Sequence, residues 1–236
     1  NVWEMQGSME QKQKTFSKYY KKFKIQDLRV MEETPEIYEN VTKKHIESIP
    51  ETHSKWIDEI LQGKKEQHRV VLNVSKDDDK NFGFITLFDT KWSCKPEKFK
   101  KAQWKSALPG IEQSFYLLCL VRDKRIKSIR DLNGTHLELL EMLYNDNIAQ
   151  IETLFGLKKD QLRIFVHYYP QYYHFHIHFC SVKINFGIES GKAMLLKDII
   201  QNIKLKSDYY QKCTLTAVLG KESQLYKDII KSGLFV

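Results

Sequence analysis

Strict alternation over His174 to Phe179, H-F-H-I-H-F, constrains this chain more than any other feature in it. On an extended strand, side chains two apart share a face, so His174, His176 and His178 point one way while Phe175, Ile177 and Phe179 point the other. The apolar face needs a core to bury it, and the imidazole face is a candidate for chemistry. His167 opens the longer stretch H-Y-Y-P-Q-Y-Y-H-F-H-I-H-F. Pro170, which cannot donate to a strand ladder, divides it into two strands joined by a short turn that returns His167 towards the triplet. Four of the eight histidines in the chain then converge.

Three chemistries use such a cluster. One neutral imidazole can attack phosphorus while its neighbours donate to phosphate oxygens. Two histidines in a His-x-His pair, with a third, can hold a catalytic zinc. The bland alternative is an edge strand whose polar face carries histidines by chance, and three at perfect alternation argue against it. Periodicity does not choose between phosphorus and zinc. No Asp or Glu lies in the histidine segment to act as base or to orient a zinc-bound imidazole, which disfavours a zinc hydrolase.

The chain has 236 residues, 42% of them hydrophobic, enough for one large domain, or one domain plus an arm. No apolar run approaches the ~20 residues of a membrane span and the start has no signal-peptide core, so a soluble intracellular protein is expected, with no membrane partner. Cys94, Cys119, Cys180 and Cys213 are scattered and form no C-x-x-C, which argues against a disulfide framework and a cysteine zinc site. Lys and Arg outnumber Asp and Glu by 38 to 30, a net charge of +8 that favours polyanionic partners without identifying one.

Residues 1–33 read as an arm or linker, with an amphipathic helical stretch from Phe16 to Val30, and 34–236 as the catalytic domain. Thr34-Pro35 is a helix start that Pro50 ends, and a second helix runs over Glu51 to Gln62 and stops at Gly63. Arg69 to Val74 and Phe82 to Asp89 predict a hairpin, and Phe115 to Val121 a buried strand. Thr135-x-x-Glu138 predicts a capping box opening a long helix that closes at Gly156. Strands follow at Leu162 to His167, His174 to Ser181 and Cys213 to Leu219, with helices at Lys192 to Ile203 and Glu222 to Lys231. Short links between strands favour an antiparallel sheet with helices against one face, an α+β fold.

The H-F-H-I-H-F segment resembles the signature of the histidine triad superfamily, and the longer stretch from His167 resembles its scavenger mRNA-decapping branch. Further matches are I-Q-D-L-R-V at Ile25 to Val30, Trp56, D-T-K-W at Asp89 to Trp92, I-K-S-I-R-D-L at Ile126 to Leu132 and C-T-L-T-A-V-L at Cys213 to Leu219. The resemblance implies a histidine-triad-like half-barrel sheet backed by helices, a homodimer, no cofactor and no metal. It makes residues 1–33 the remnant of an N-terminal domain that the family carries, or simply a chain end. The implied reaction is hydrolysis of the 5′–5′ triphosphate of short capped RNA or a 7-methyl-GpppN cap dinucleotide to 7-methyl-GMP and a diphosphate product. The implied setting is mRNA decay in the cytoplasm, with the nucleus as a second location. Two rivals remain: a broader hydrolase of dinucleoside polyphosphates or nucleotide phosphoramidates, and a cap-binding module with weak turnover.

The same resemblance assigns roles. His176 matches the nucleophile, which would form a phosphohistidine-type intermediate, and His174 orients it. His178 and His167 match residues that hold phosphate oxygens. Tyr172, and the backbone near Gln171, match the turn that grips the triphosphate. Trp56 matches the aromatic that stacks on the base, although its helical spacing alone reads as core. Glu66 matches the acid that accepts from the guanine edge, although alone it reads equally as a solvated carboxylate. Asp89 and Lys91 match a polar pair beside the cap. Three departures stand out: Gln171 where the family has serine, Lys192 where it has arginine, and Phe88 where it often has proline, a change expected to reshape the pocket. A lysine is a point charge and lacks the bidentate fork of arginine.

Overall fold

The computed structural model describes residues 27–89, 104, 110–185 and 191–235. A six-stranded sheet carries the site, in the order β2-β3-β4-β6-β5-β7: β2 (Val70–Ser75), β3 (Gly83–Phe88), β4 (Tyr116–Val121), β6 (His176–Ser181), β5 (Leu162–His167) and β7 (Ala193–Leu195). Every neighbouring pair is antiparallel. The hairpin between β2 and β3 closes at Gly83, where φ is 124° and a Cβ would stand 2.2 Å from the carbonyl oxygen of Val74. Only glycine fits there.

The period-two pattern of β6 sorts its side chains as the sequence predicts. Ile177 and Phe179 pair with Cys119 and Leu117 of β4, and this face packs on the long helix α4 (Leu137–Phe155) through Leu140, Leu143, Ile151 and Phe155. Helix α5 (Leu196–Leu205) adds Ile199, Ile200 and Ile203 to the same core. Phe179, fully buried here, is worth about 3–5 kcal/mol against alanine. Phe88 belongs to this core too: it is 4% exposed and lies edge-on to Trp104, Phe115 and Phe155. The sequence expectation that Phe88 shapes the pocket is therefore corrected. Alternation along β3 turns Phe88 to the core and Leu87 to the other face.

That other face is also partly covered, a second correction. Ile57 and Ile60 of α3 (Lys55–Leu61) bury Val70, Ile85, Leu87 and Leu120. Helices thus flank both faces at the β2–β3 end, while the β6–β5 end of this face carries the histidines.

Upstream, α1 (Pro35–Ile37) starts as expected, with Thr34 Oγ1 accepting from the amide of Ile37 at 3.2 Å, and continues through a π turn (Tyr38–Thr42) into α2 (Lys43–Ser48). The arm assignment fails for its last residues. β1 (Leu28–Glu33) pairs antiparallel with β8 (Leu215–Gly220), and Met31 and Glu33 are 1% exposed, so residues 28–33 are part of the packed body. The helical reading of residues 28–30 loses to a strand partner far along the chain. Residues 16–26 lie outside the described residues.

Two local expectations also shift. The capping box sits at Asn133, whose Oδ1 accepts from the amide of Thr135 at 2.9 Å while His136 Nδ1 takes the Asn133 amide at 3.0 Å. Thr135 donates its hydroxyl to Asn133 instead of capping. Gly156 closes α4 at φ 73°, as predicted. The helix expected from Lys192 starts only at Leu196, because 193–195 form the edge strand β7 on β5. Two short helices complete the chain, α6 (Tyr209–Lys212) and α7 (Gln224–Ser232).

Candidate active site

β6 lies between β4 and β5, so its two histidines sit on a central strand. His176 stands opposite Leu120, and His178 opposite Leu118 on one side and Phe165 on the other. The turn after β5 brings His167 beside them, as Pro170 suggested. The rings of His167 and His178 are 4.5 Å apart, those of His176 and His178 5.0 Å apart, and Phe165 stacks on His178 at 5.0 Å. Three imidazoles therefore form a row.

The fourth does not join it. His174 precedes β6, is 3% exposed, and its Nε2 lies 2.7 Å from the carbonyl oxygen of Val121. Burial pushes its pKa below the ordinary 6.5, outweighing that hydrogen bond and the Asp58 charge. Its backbone is what reaches the row: the carbonyl oxygen of His174 is 2.6 Å from Nδ1 of His176. A carbonyl only accepts, so Nδ1 of neutral His176 carries the hydrogen and Nε2 keeps its lone pair. Nδ1 of His178 is 2.9 Å from the hydroxyl of Tyr116. Burial, with Cys180 and Asp89 nearby, raises the pKa of that phenol, which stays protonated at neutral pH. Sequence reasoning missed Tyr116, because its distance along the chain hides a neighbour across a ladder.

Trp56 on α3 and Tyr172 in the turn after β5 meet edge-on at 5.3 Å and both pack against the cluster containing Leu120, with Leu118 beside them. A pocket of about 530 Å³ opens here, lined among others by Trp56, Gln171, Tyr172, His174, Lys124 and Lys127. Since Leu118 and Leu120 stand opposite His178 and His176, the aromatic pair and the histidines occupy one sheet face.

The remaining expected residues are more scattered. Asp89 directly follows β3, its amide 3.3 Å from the carbonyl oxygen of Tyr116. Lys192 is half-buried just before β7, where His167 pairs with Ala193, and burial lowers its pKa. Glu66 sits at a left-handed residue, φ 61°, between α3 and β2, with its carboxylate 2.6 Å from Arg69. Lys91 lies outside the described residues. Among the described residues, no group of three His, Cys, Asp or Glu is arranged to hold a metal ion.

An antiparallel sheet whose central strand alternates histidines with core residues, backed by a long helix, defines a histidine-triad-like α+β protein. Residues 55–194 match the family model described as scavenger mRNA decapping enzyme C-term binding. That is more than half of the chain, which belongs to this scavenger mRNA decapping enzyme family. Curated relatives named m7GpppX diphosphatase are similar over 89% of the chain: 32% identical in Caenorhabditis elegans, 34% in Schizosaccharomyces pombe and 32% in Homo sapiens. The chain spans 63%, 64% and 57% of those relatives, less than two thirds of each.

Proposed function

We propose that this chain hydrolyses the triphosphate bridge of 7-methyl-GpppN caps on nucleotides or short RNA, the reaction its relatives' names describe. The observation that carries the reading is the shared sheet face, with Trp56 and Tyr172 at one end and His176 and His178 at the other. A base docked at the aromatic end puts its 5′ phosphate chain towards the imidazoles.

In this reading Nε2 of His176 attacks the phosphorus bearing 7-methylguanosine. The N–P bond forms as the bridging P–O bond breaks, and the nucleoside diphosphate leaves. Water then cleaves the N–P bond and releases 7-methyl-GMP. Tyr116 donates to Nδ1 of His178, leaving an N–H on Nε2 of His178 to donate to a phosphate oxygen; His167, whose ring is 4.5 Å from that of His178, and Lys192 are proposed as further donors. Glu66, Asp89 and Lys91 are proposed at the base, with Gln171 at the phosphates.

The test is to incubate the protein with 7-methyl-GpppG in the presence of EDTA and to chromatograph the products. The expected products are 7-methyl-GMP and GDP; an intact substrate, or activity lost to the chelator, overturns the reading. The protein is also proposed to be a two-fold homodimer, for which exposed Leu28 (52%) and Val30 (65%) on β1 offer apolar surface. Light scattering that shows only monomer at micromolar concentration contradicts the dimer.

A further inference from the structure

Outside the row of histidines, the most heavily bonded charges among the described residues are Glu33 at the end of β1 and Arg130, 1% and 2% exposed. Oε1 of Glu33 accepts from Nε of Arg130 at 2.9 Å and from the hydroxyl of Tyr168; Oε2 accepts from Thr42 at 2.7 Å and from the hydroxyl of Tyr169 at 2.6 Å. Arg130 in turn donates Nη1 to the carbonyl oxygens of Tyr210 and Cys213, at 2.8 and 2.7 Å, and Nη2 to that of Glu33 at 2.8 Å. The remaining N–H, also on Nη2, faces Oε1 of Glu33 at 2.8 Å, so all five guanidinium donors and the carboxylate's four or so acceptor positions are engaged and neither group has room left for a ligand.

A buried ion pair is weak evidence for stability, since an apolar pair of similar volume often serves as well. Its partners here suggest a different use. Tyr168 and Tyr169 directly follow His167 and directly precede the turn 170–173, which carries Gln171 and Tyr172 to the pocket beside Trp56. The amide of Tyr168 is tied to Lys192, at 2.8 Å, and the far end of the turn is tied where the Phe175 amide meets Ile126, also at 2.8 Å. His174, whose carbonyl orients His176, lies between.

We propose that Glu33 and Arg130 are positioning residues for the active site: through the hydroxyls of Tyr168 and Tyr169 they set the turn that holds Tyr172 and the carbonyl of His174. The effect on catalysis rests on the cap-hydrolase reading; the effect on the turn does not. Removing Glu33 or Arg130 alone strands a buried charge and risks unfolding. The tyrosine hydroxyls are the gentler handle.

Tyr169→Phe keeps the ring and deletes one hydrogen bond on Oε2, while Thr42→Val deletes the other hydrogen bond on the same oxygen; Thr42 lies beside the Tyr169 hydroxyl but the Tyr169–Glu33 bond survives its removal. In Tyr169→Phe, amide hydrogen exchange at 171–174 is expected to quicken at least tenfold and kcat for 7-methyl-GpppG to fall roughly tenfold or more, because small misplacements of reacting groups carry large penalties. Thr42→Val should leave both within about threefold. Equal effects of the two variants, or unchanged exchange in Tyr169→Phe, overturn the positioning role. A wild-type protein that leaves the cap intact overturns the cap-hydrolase reading instead, and the exchange comparison still decides the turn.

Discussion

The hydroxyl of Tyr116 lies 2.9 Å from Nδ1 of His178, which couples β4 to the imidazole in the middle of the row. One hydrogen bond of this kind contributes about 0.5–1.5 kcal/mol net, and the ring of Tyr116 packs independently of it. Tyr116→Phe should therefore lower kcat roughly three- to tenfold with the fold intact. Steady-state rates on 7-methyl-GpppG beside a thermal melt check this, and an unchanged kcat removes Tyr116 from the mechanism.

His176→Asn should separate chemistry from binding. In the proposed mechanism Nε2 of His176 serves only bond formation, so turnover should drop by several orders of magnitude while cap affinity stays within about tenfold. Residual activity above a tenth of wild type would sink the nucleophile assignment.

Trp56 should carry the preference for the methylated base. Methylation at N7 makes guanine cationic, and a cation over an indole gains roughly 0.5–2 kcal/mol. With a stronger hydrogen bond to a carboxylate partner, 7-methyl-GMP should bind about thirtyfold more tightly than GMP. Trp56→Ala should remove most of that ratio in calorimetric titrations. Equal affinities in the wild-type protein would point to a broader nucleotide hydrolase.

The buried His174 gives a pH dependence of known sign. Its folded pKa is lowered from 6.5, chiefly by burial, so below 6.5 the unfolded chain takes up a proton that folded His174 refuses. The stability it contributes is present above 6.5 and is lost as pH falls towards the folded value. In thermal melts between about pH 7.5 and 5.5, the gap between wild type and His174→Gln should narrow on acidification. The lowered pKa of His136 and the raised one of Asp131 are common to both proteins and cancel in the difference. A gap that widens contradicts the assignment.

Much of the local structure around the candidate site is legible in the sequence because its signals are local. Alternation at His174 to Phe179, the break at Pro170, the cap at Thr34-Pro35 and the stop at Gly156 each depend on neighbours within one strand or turn. What escaped depends on partners set by the sheet. The first half of β1, residues 28–30, reads as helix from its own residues and becomes a strand through β8; β7 is too short to show a period. Glu33 and Arg130 look like ordinary surface charges until the fold buries them together. A faint signal did exist: two adjacent tyrosines beside His167, in a stretch already marked for chemistry, both needing hydroxyl partners once buried. Phe88 shows the opposite case: its position in the chain is next to the candidate site, but alternation along β3 turns its ring into the core.

Because β6 holds core and chemistry on alternate residues, the gene for this protein should accept substitutions here far more readily than changes of length. One codon gained or lost between Phe175 and Cys180 would exchange the faces, driving imidazoles against Leu140 and Leu143 and putting Phe and Ile where phosphate should sit. The exposed turn at 77–80, between β2 and β3, is under no such constraint, and lengthening is expected to be silent there and to destroy the core and the histidine face in β6, the fourth strand in the sheet's order.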